Sequence, residues 1–215
     1  MISTGLNASL KDNHHPLPVA EDIFATLNGG KFFAKLDLSD AYLQVEVEPE
    51  SREFLTINTH RGLYQFTRLP FGVKTAPAIS QSIMDNLISG LEGTVAYLDD
   101  ILVVGRSEEE LQSRIERLLK RITEYGFHLR PDKCEFFLKS IKYLGFIFGS
   151  EGRYPDPENI RAIVEMPPPN RHYNSTLILG LISYYSSFLP SLHEVRRPLT
   201  SLLRKCTPWN WSAVY

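Results

Sequence analysis

The chain has 215 residues, of which 43% are hydrophobic and 22% are charged, a composition typical of a globular protein with one large domain or two small ones. No apolar run approaches the roughly 20 residues that a membrane helix needs, and the first residues lack the basic and apolar regions of a secretory signal. The net charge of −2 argues mildly against nucleic-acid binding, which usually shows a basic excess.

The use of cysteine adds a further restriction. Cys134 and Cys206 lie far apart in the chain and form no Cys-x-x-Cys pair. Neither a zinc site nor a disulfide framework is therefore indicated. We expect a reducing, intracellular setting, cytoplasmic or nuclear, without secretion or membrane association.

Hydrophobic periodicity predicts the elements in chain order. The first of them are a short helix at 18–27, a strand at 31–37, a half-buried strand at 43–47, a hairpin of 54–58 and 63–67, and a helix at 76–89. Next come two short strands at 94–98 and 101–104, a helix at 108–125, strands near 136–137 and 143–148, and a turn at 149–153. Beyond a soft domain boundary near residue 150, the pattern predicts helices at 156–165, 175–188 and 195–204.

The helix at 108–125 has the clearest end signals. Ser107 with Glu110 three residues later forms a capping box, and Gly126 suits the position just after a helix. Its apolar stripe, which we expect to face the core, consists of Leu111, Ile115, Leu118, Leu119, Ile122 and Tyr125.

Three aspartates stand out by their place in this pattern. Asp37 ends an apolar strand, and Asp99 with Asp100 forms the predicted tip of an apolar hairpin. Aspartate is uncommon in strands, and adjacent carboxylates in an apolar setting repel each other. Mg²⁺ offsets such repulsion by binding carboxylates together with substrate phosphates. The other interpretation of an Asp-Asp pair is an ordinary β-turn, which is the commoner case for the dipeptide alone.

Ordered motifs favour the metal site over the plain turn. Tyr97-Leu98-Asp99-Asp100 is similar to the Tyr-x-Asp-Asp box of reverse transcriptases, in the form common in gypsy-class long-terminal-repeat retrotransposons. Other segments resemble further motifs of that family in the expected order: LDLSDAY at 36–42, RLPFG at 68–72 with APA at 76–78, GFHL at 126–129 with KC at 133–134, YLGF at 143–146, and LGLI at 179–182 with FLP at 188–190. The resemblance extends from about residue 3 to residue 211.

The resemblance implies an α+β fold, namely a right-hand polymerase palm with an antiparallel sheet, partial fingers and a helical thumb. The implied domains are a truncated fingers remnant at 1–30, a palm at 31–150 with a fingers insertion at about 45–75, a thumb at 151–191, and the start of a connection at 192–215. We expect the chain to be a fragment of a polyprotein whose ribonuclease H and integrase parts are absent here.

The resemblance also implies a reaction and its residues. The reaction is RNA-directed DNA synthesis, in which deoxynucleoside triphosphates extend a primer on an RNA or DNA template with two Mg²⁺ or Mn²⁺ ions. The implied catalytic residues, which also hold the metals together with the Leu38 carbonyl, are Asp37, Asp99 and Asp100. The implied nucleotide-binding residues are Asp40, Ala41, Tyr42, Phe71, Gly72 and Lys133. The implied template and primer residues are Gln81, Tyr97, Tyr143, Leu144, Gly145 and Phe146.

Some of these residues carry specific expectations. Tyr42 would lie under the incoming sugar and exclude ribonucleotides, and Lys133 would protonate the departing pyrophosphate. Each has a plainer interpretation: Tyr42 as a core tyrosine, Gln81 as a solvent-facing helix residue, and Lys133 as a surface lysine near a turn. Residues 143–146 would equally suit an ordinary buried strand.

The sequence also departs from the family pattern. Residues 3–7 resemble the end of a fingers motif, but the basic strands that normally precede it are absent. Ser80 stands where the family usually has phenylalanine, a loss of about 3 kcal/mol if nothing else fills the space, and 170–174 replaces the usual entry to the thumb helix. The alternative function is therefore an inactive retroelement remnant that binds nucleic acid weakly at most. A third possibility, a palm used for nucleotide cyclisation, conflicts with the template and primer motifs.

Overall fold

The computed structural model describes residues 4–12, 15–167, 172–189 and 200, without the side chains of residues 4 and 172–175. The helices are α1 (Thr4–Ser9), α2 (Ala20–Leu27), α3 (Ala76–Ile88), α4 (Glu108–Glu124), α5 (Pro157–Val164) and α6 (His172–Tyr184). The strands are β1 (Phe32–Asp37), β2 (Thr56–Thr59), β3 (Gly62–Gln65), β4 (Thr94–Tyr97), β5 (Asp100–Gly105), β6 (Glu135–Leu138), β7 (Ser140–Tyr143), β8 (Phe146–Gly149) and β9 (Gly152–Pro155). Short 3₁₀ helices lie at Ala41–Gln44, Pro49–Leu55, Pro131–Lys133 and Ser186–Phe188.

The chain divides into two compact units. The first comprises Met1–Ile141 and Phe148–Gly152, and the second comprises Lys142–Ile147 and Arg153–Tyr215. The predicted single boundary near residue 150 is therefore too simple, because the chain changes units more than once between Ile141 and Arg153. The division of the chain into fingers, palm, thumb and connection at the residues given above stays a prediction.

The first unit is built around a four-stranded sheet in the order β4-β5-β1-β6. Strand β1 pairs antiparallel with β5 from Phe32 opposite Gly105 to Asp37 opposite Asp100. Every residue of β5 from Ile101 to Val104 is buried, as expected of a central strand covered on both faces. The β-branched and aliphatic residues of this run therefore specify a strand inside the sheet rather than at its edge.

Helices α3 and α4 cover one face of this sheet. The core that they share with the sheet contains Ala34 and Leu36 from β1, Ala96 from β4, Ile101 and Val103 from β5, Met84 and Leu87 from α3, and Leu111, Ile115, Leu118 and Ile122 from α4. Burying one of the leucine, isoleucine, valine or methionine side chains of this core contributes about 1.5–3 kcal/mol relative to leaving it exposed. Strand β1, which ends in Asp37, and strand β5, which begins with Asp100, therefore pack against this core.

The predicted capping of α4 is confirmed, with one difference. The Ser107 hydroxyl accepts a hydrogen bond from the Glu110 N–H at 3.2 Å. The Glu110 carboxylate, however, accepts from the N–H of Arg106 at 2.5 Å rather than from the N-cap residue itself. The predicted stripe is too wide, because Leu119 and Tyr125 are exposed.

The prediction of a half-buried strand at 43–47 is wrong. The segment begins with the 3₁₀ helix Ala41–Gln44, and only Glu46 forms an isolated bridge, with Arg68. Asp40 adopts the left-handed region at φ 47° and turns the chain out of the β1 direction. The Gln44 side chain then donates to the carbonyls of Ser39 at 2.5 Å and His128 at 3.0 Å, which holds the helical turn. An alternation over five residues was too short to exclude this turn.

Most of the remaining predictions are confirmed with shifted ends, but the single strand predicted at 143–148 is wrong, because Leu144 and Gly145 have positive φ values and form a turn between β7 and β8. The hairpin of β2 and β3 turns at residues 60–61, and the predicted turn at 149–153 contains the start of β9. The Asp156 carboxylate caps α5 by accepting from the Glu158 N–H at 3.0 Å. The predicted helix at 195–204 lies outside the described residues except for residue 200. None of the helices in the described ranges has the length and apolar character required to cross a membrane.

Ser80 lies on α3 with its side chain fully buried, and its hydroxyl has no hydrogen-bond partner. An unsatisfied buried polar group costs about 1–3 kcal/mol. We therefore expect Ser80→Ala to increase the free energy of unfolding by about 1–2 kcal/mol, measured by urea denaturation. Ser82→Ala, two residues further along α3 and only half-buried, is the matched control and should gain no more than about 0.5 kcal/mol from helix propensity. Equal gains at both positions would contradict the cost assigned to the Ser80 hydroxyl.

Candidate active site

The predicted carboxylates meet where β1 ends and β5 begins. Asp37 is the last residue of β1, and it lies directly opposite Asp100, the first residue of β5. Opposing residues in an antiparallel pair have Cα atoms about 4.5–5.5 Å apart. The Leu38 N–H donates to the carbonyl of Asp99 at 2.9 Å, which continues the ladder past Asp37. The three aspartates predicted to be catalytic are therefore brought together by strand register.

The turn that presents them lies one residue earlier than predicted. Tyr97 pairs with Asp100, so the two loop residues are Leu98 and Asp99, and Asp100 belongs to the strand. Leu98 has φ 55°, whereas Asp99 has no positive φ, which is the φ pattern of a type II′ hairpin turn. A leucine in this region is uncommon and costs roughly 1 kcal/mol or more. The surrounding contacts must therefore maintain the turn.

Electrostatics single out Asp99 within the group. Burial raises the pKa of the Asp99 carboxyl above its ordinary value, and the neighbouring Asp100 and Asp37 charges raise it further, with Arg130 opposing the shift. The Asp99 Oδ1 atom is buried and has no hydrogen-bond partner. A buried carboxylate oxygen of this kind is a favourable ligand position for a hard cation.

Two basic side chains hold the other carboxylates. Lys35 Nζ lies 3.1 Å from Asp100 Oδ1. Arg130 Nε lies 4.0 Å from Asp37 Oδ1, and its Nη2 lies 3.6 Å from Asp40 Oδ1. Four carboxylates and two cations leave two negative charges when all are ionised, which is the charge that one divalent cation would neutralise.

The donor set fits Mg²⁺ or Mn²⁺, but the ligands are not fully assembled. Among the described residues, no three acidic, histidine or cysteine side chains are grouped closely enough to hold a metal ion. Asp37 and Asp100 instead lie in ion pairs with Arg130 and Lys35, which reduce the repulsion among the carboxylates. A metal that displaced these two cations would recruit carboxylates already placed at one end of the sheet. Leu38 directly follows Asp37, and because its side chain is a hydrocarbon, only its main-chain carbonyl could bind a metal.

Two of the predicted nucleotide-binding residues, Tyr42 and Phe71, have their rings close together, and we call this pair the ring wall. The centroids of the Tyr42 and Phe71 rings are 5.3 Å apart, and Phe71 is 54% exposed. Burial raises the pKa of the Tyr42 hydroxyl, and the charge of Asp99 raises it further, which places Tyr42 electrostatically beside the acidic group. Tyr42 is partly buried and packs against the cluster of Leu55, Leu69, Val73 and Ala76, so the core interpretation of this residue stays open beside the nucleotide-binding one. Ala41 is buried in the core shared by the sheet, α3 and α4.

Asn7, which the sequence analysis placed in a fingers motif without predicting its contacts, holds the Gly72 turn. Its side-chain amide donates to the Gly72 carbonyl at 2.8 Å and accepts from the Lys74 N–H at 2.9 Å. Gly72 has φ 92°, a value that favours glycine. The contact joins residues 65 positions apart in the chain, so no local pattern could reveal it.

Lys133 and Arg130 have different positions relative to the acids. Lys133 is exposed in the 3₁₀ helix Pro131–Lys133. Arg130 was not predicted to take part, yet it contacts both Asp37 and Asp40, and its N–H donates to the Asp37 carbonyl at 2.8 Å. The structure therefore gives Arg130 the closer place at the carboxylates.

Gln81 and Tyr97 lie next to the turn of Leu98 and Asp99. The Gln81 side chain is fully buried, which corrects the solvent-facing interpretation and leaves no exposed group for a template. Its amide instead bonds to the main chain around the turn. Tyr97 is partly buried and pairs with Asp100 at the end of β4.

The predicted primer residues belong to the second unit. Leu144 and Gly145 join β7 and β8, with φ values of 45° and 75°, the pattern of a type I′ turn. The hydroxyl of Tyr184 donates to the Leu144 carbonyl at 2.6 Å, and that of Tyr185 donates to the Gly145 carbonyl at 3.2 Å. Tyr184 is the last residue of α6, and Tyr185 directly follows it. Phe146 is buried, and Tyr143 is buried at the end of β7.

Comparisons with known proteins identify the family of the chain. The family model described as "Reverse transcriptase (RNA-dependent DNA polymerase)" matches residues 1–148. An uncharacterized protein of Caenorhabditis elegans is 42% identical over 186 residues, which are 86% of this chain and 14% of that protein. The Pol polyprotein of the Drosophila melanogaster transposon gypsy is 33% identical over 201 residues, which are 93% of this chain and 19% of the polyprotein. The chain thus spans 14% to 19% of the length of these relatives.

Solved structures show the same fold. The foamy viral protease-reverse transcriptase dRH in complex with double-stranded DNA has a TM-score of 0.89 at 22% identity, over 97% of this chain and 37% of that chain. The foamy viral protease-reverse transcriptase in complex with an RNA/DNA hybrid has a TM-score of 0.82 at 22% identity, over 97% of this chain and 29% of that chain. The predicted fold class, a palm with an antiparallel sheet, partial fingers and a helical thumb, is confirmed.

The raised pKa of Asp99 predicts a pH-dependent effect on stability. Ionising a carboxyl whose folded-state pKa is raised costs folding free energy, and this cost appears as pH rises from the unfolded pKa and is complete above the folded one. Asp99→Asn should therefore increase the free energy of unfolding near neutral pH by about 1 kcal/mol. The gain should shrink as pH falls toward the ordinary pKa of 3.8. Urea denaturation across this range measures it, and the exposed Asp22→Asn on α2 is the control. A gain that is the same at every pH would contradict the account.

Proposed function

This chain belongs to the reverse transcriptase family, and from that premise we propose that it is the core of an RNA-directed DNA polymerase. It would add deoxynucleotides to the 3′ end of a primer as directed by a template. The observation that carries the proposal is the meeting of Asp37, Asp99 and Asp100 at one end of the sheet, with a buried, unpartnered Asp99 Oδ1. The complexes of the foamy viral relatives with DNA and RNA/DNA hybrid support nucleic acid as the partner.

The chain's own side chains suggest how the site would work. When bound by Asp37, Asp99, Asp100 and the Leu38 carbonyl, two Mg²⁺ or Mn²⁺ ions would supply charge neutralisation for the attacking and leaving oxygens of the phosphoryl transfer. Lys35 and Arg130 would limit repulsion among the carboxylates before the substrate binds. The Arg130 guanidinium beside Asp37 would also be a donor for triphosphate oxygens, since arginine matches phosphate geometry.

The ring wall would orient the incoming nucleotide. Tyr42 and Phe71 lie in contact, with Tyr42 within the electrostatic reach of Asp99. A nucleotide whose α-phosphate lies at the carboxylates would place its sugar near this wall. A 2′-hydroxyl would then collide with the Tyr42 ring, which would select deoxynucleotides by exclusion.

The alternative is a folded remnant without catalytic activity. The net charge of −2 favours it because nucleic-acid binding usually needs a basic excess. The unsatisfied buried hydroxyl of Ser80 favours it because it lowers the stability of the fold. Weak nucleic-acid binding would be all that remains in that case. A primer-extension assay separates the two functions.

Primer extension on an RNA template with Mg²⁺ or Mn²⁺ tests the proposal. The parent chain should incorporate deoxynucleotides, and Asp99→Asn should reduce the rate at least about a hundredfold, because a group that stabilises transition-state charge is lost. Asp22→Asn changes an exposed carboxylate on α2 and should leave the rate unaltered. Soluble, folded parent chain that extends no primer on any template would establish the remnant instead.

Tyr42→Ala tests the selection of the sugar. Removing the ring should lower the preference for deoxynucleotides over ribonucleotides roughly tenfold or more, measured as the ratio of kcat/KM values. Tyr42→Phe keeps the ring and removes only the hydroxyl, so it should retain the preference. Unchanged selectivity in Tyr42→Ala would show that this ring does not face the sugar.

A further inference from the structure

The buried side chain of Gln81 connects α3 to the turn that carries Asp99. Its Nε2 donates to the Ala96 carbonyl at 2.9 Å and to Asp85 Oδ1 at 2.8 Å. Its Oε1 accepts from the Leu98 N–H at 3.0 Å. The two main-chain bonds bracket Tyr97, so one amide group holds β4 at the point where it enters the turn.

The orientation of this amide is fixed by its partners. Carbonyl and carboxylate oxygens only accept hydrogen bonds, so the two N–H groups of Gln81 must face Ala96 and Asp85. The oxygen then faces Leu98, which offers a donor. Asp85 is held in turn, because its Oδ2 lies 2.6 Å from His15 Nε2. Flipping the amide would set donor against donor at Leu98 and acceptor against acceptor at Ala96.

The hydrogen bond from the Leu98 N–H to Gln81 Oε1 holds the residue of the turn that has the strained backbone. Leu98 is the non-glycine residue with φ 55°, and its amide would lose its partner if the peptide between Tyr97 and Leu98 rotated. Asp99 follows directly, and its carbonyl accepts from Leu38. The direction of the Asp99 carboxylate therefore depends on the Leu98 conformation, with Gln81 on one side of the turn and β1 on the other.

We propose that Gln81 is a positioning residue, which fixes the strained Leu98–Asp99 turn and thereby the direction in which the Asp99 carboxylate is presented. This inference deepens the proposed polymerase function and rests on it for its effect on catalysis. It replaces a direct template contact for Gln81, since the side chain is fully buried and both amide hydrogens have partners within the protein.

The test compares Gln81→Met with Leu87→Ala in the 215-residue chain. Methionine fills a similar volume and removes all three hydrogen bonds. Leu87 is also fully buried on α3 and belongs to the sheet-facing core, so Leu87→Ala destabilises the fold without removing a hydrogen bond to the turn. Amide hydrogen exchange without nucleic acid is read at Leu98 relative to Val104, whose N–H bonds to the Gly93 carbonyl at 2.9 Å.

Gln81→Met should raise the Leu98 exchange rate at least about tenfold relative to Val104, because the turn opens locally. Leu87→Ala should raise both rates by the same factor. In primer extension, Gln81→Met should lower kcat about tenfold or more, while KM for the nucleotide and Kd for the primer–template stay within about twofold. This split separates positioning from a template contact, for which Kd would rise.

An unchanged ratio of Leu98 to Val104 exchange in Gln81→Met would overturn the proposal, as would a rise in Kd with unchanged kcat. The exchange experiment decides the positioning role even if the parent chain extends no primer, so failure of the proposed function is separately visible. If Gln81→Met does not fold, Asp85→Ala replaces it, because this partly exposed residue anchors the same amide. It should raise the relative Leu98 exchange about threefold, and no change there would equally overturn the proposal.

Discussion

The antiparallel pairing of β1 with β5 is the constraint on which the site depends. Its register sets Asp37 opposite Asp100, and a slip of one residue would turn every β1 side chain to the other face of the sheet. Lys35 lies two residues before Asp37 on the same face, which places its ammonium beside Asp100. The buried run Ile101–Val104 maintains this register because both of its faces are covered.

This pairing creates a concentration of negative charge that the fold balances only in part. Lys35 and Arg130 contact Asp100 and Asp37, whereas the buried Asp99 Oδ1 has no partner and the pKa of its carboxyl is raised by burial. Proteins tolerate such uncompensated groups mainly at functional sites. The same turn contains the strained Leu98, so the electrostatic cost at Asp99 and the conformational cost at Leu98 fall on adjacent residues. The hydrogen bonds of Gln81 oppose the conformational cost at Leu98.

Sequence patterns predicted the parts of the fold that depend on local periodicity and end signals. Helices α3, α4 and α5 and strands β1, β4 and β5 follow from apolar spacing and caps, and family resemblance indicated the three aspartates. The strand at 43–47 failed because the turn there depends on Gln44 bonding to His128, 84 residues away. The contacts of Arg130 and Asn7 and the burial of Gln81 could not be predicted for the same reason, since each depends on contacts between distant segments. The one-residue shift of the catalytic turn reflects strand register, which the dipeptide Asp99-Asp100 does not reveal.

The most direct measurement of the central claim is anomalous X-ray scattering from crystals grown with Mn²⁺, a primer–template and an unreactive deoxynucleotide. The account predicts manganese peaks bounded by Asp37, Asp99 and Asp100, with Lys35 and Arg130 displaced from the carboxylates. Crystals of Asp99→Asn should lose the peak nearest that residue. A bound nucleotide with no manganese at these carboxylates, and with both ion pairs intact, would contradict the account.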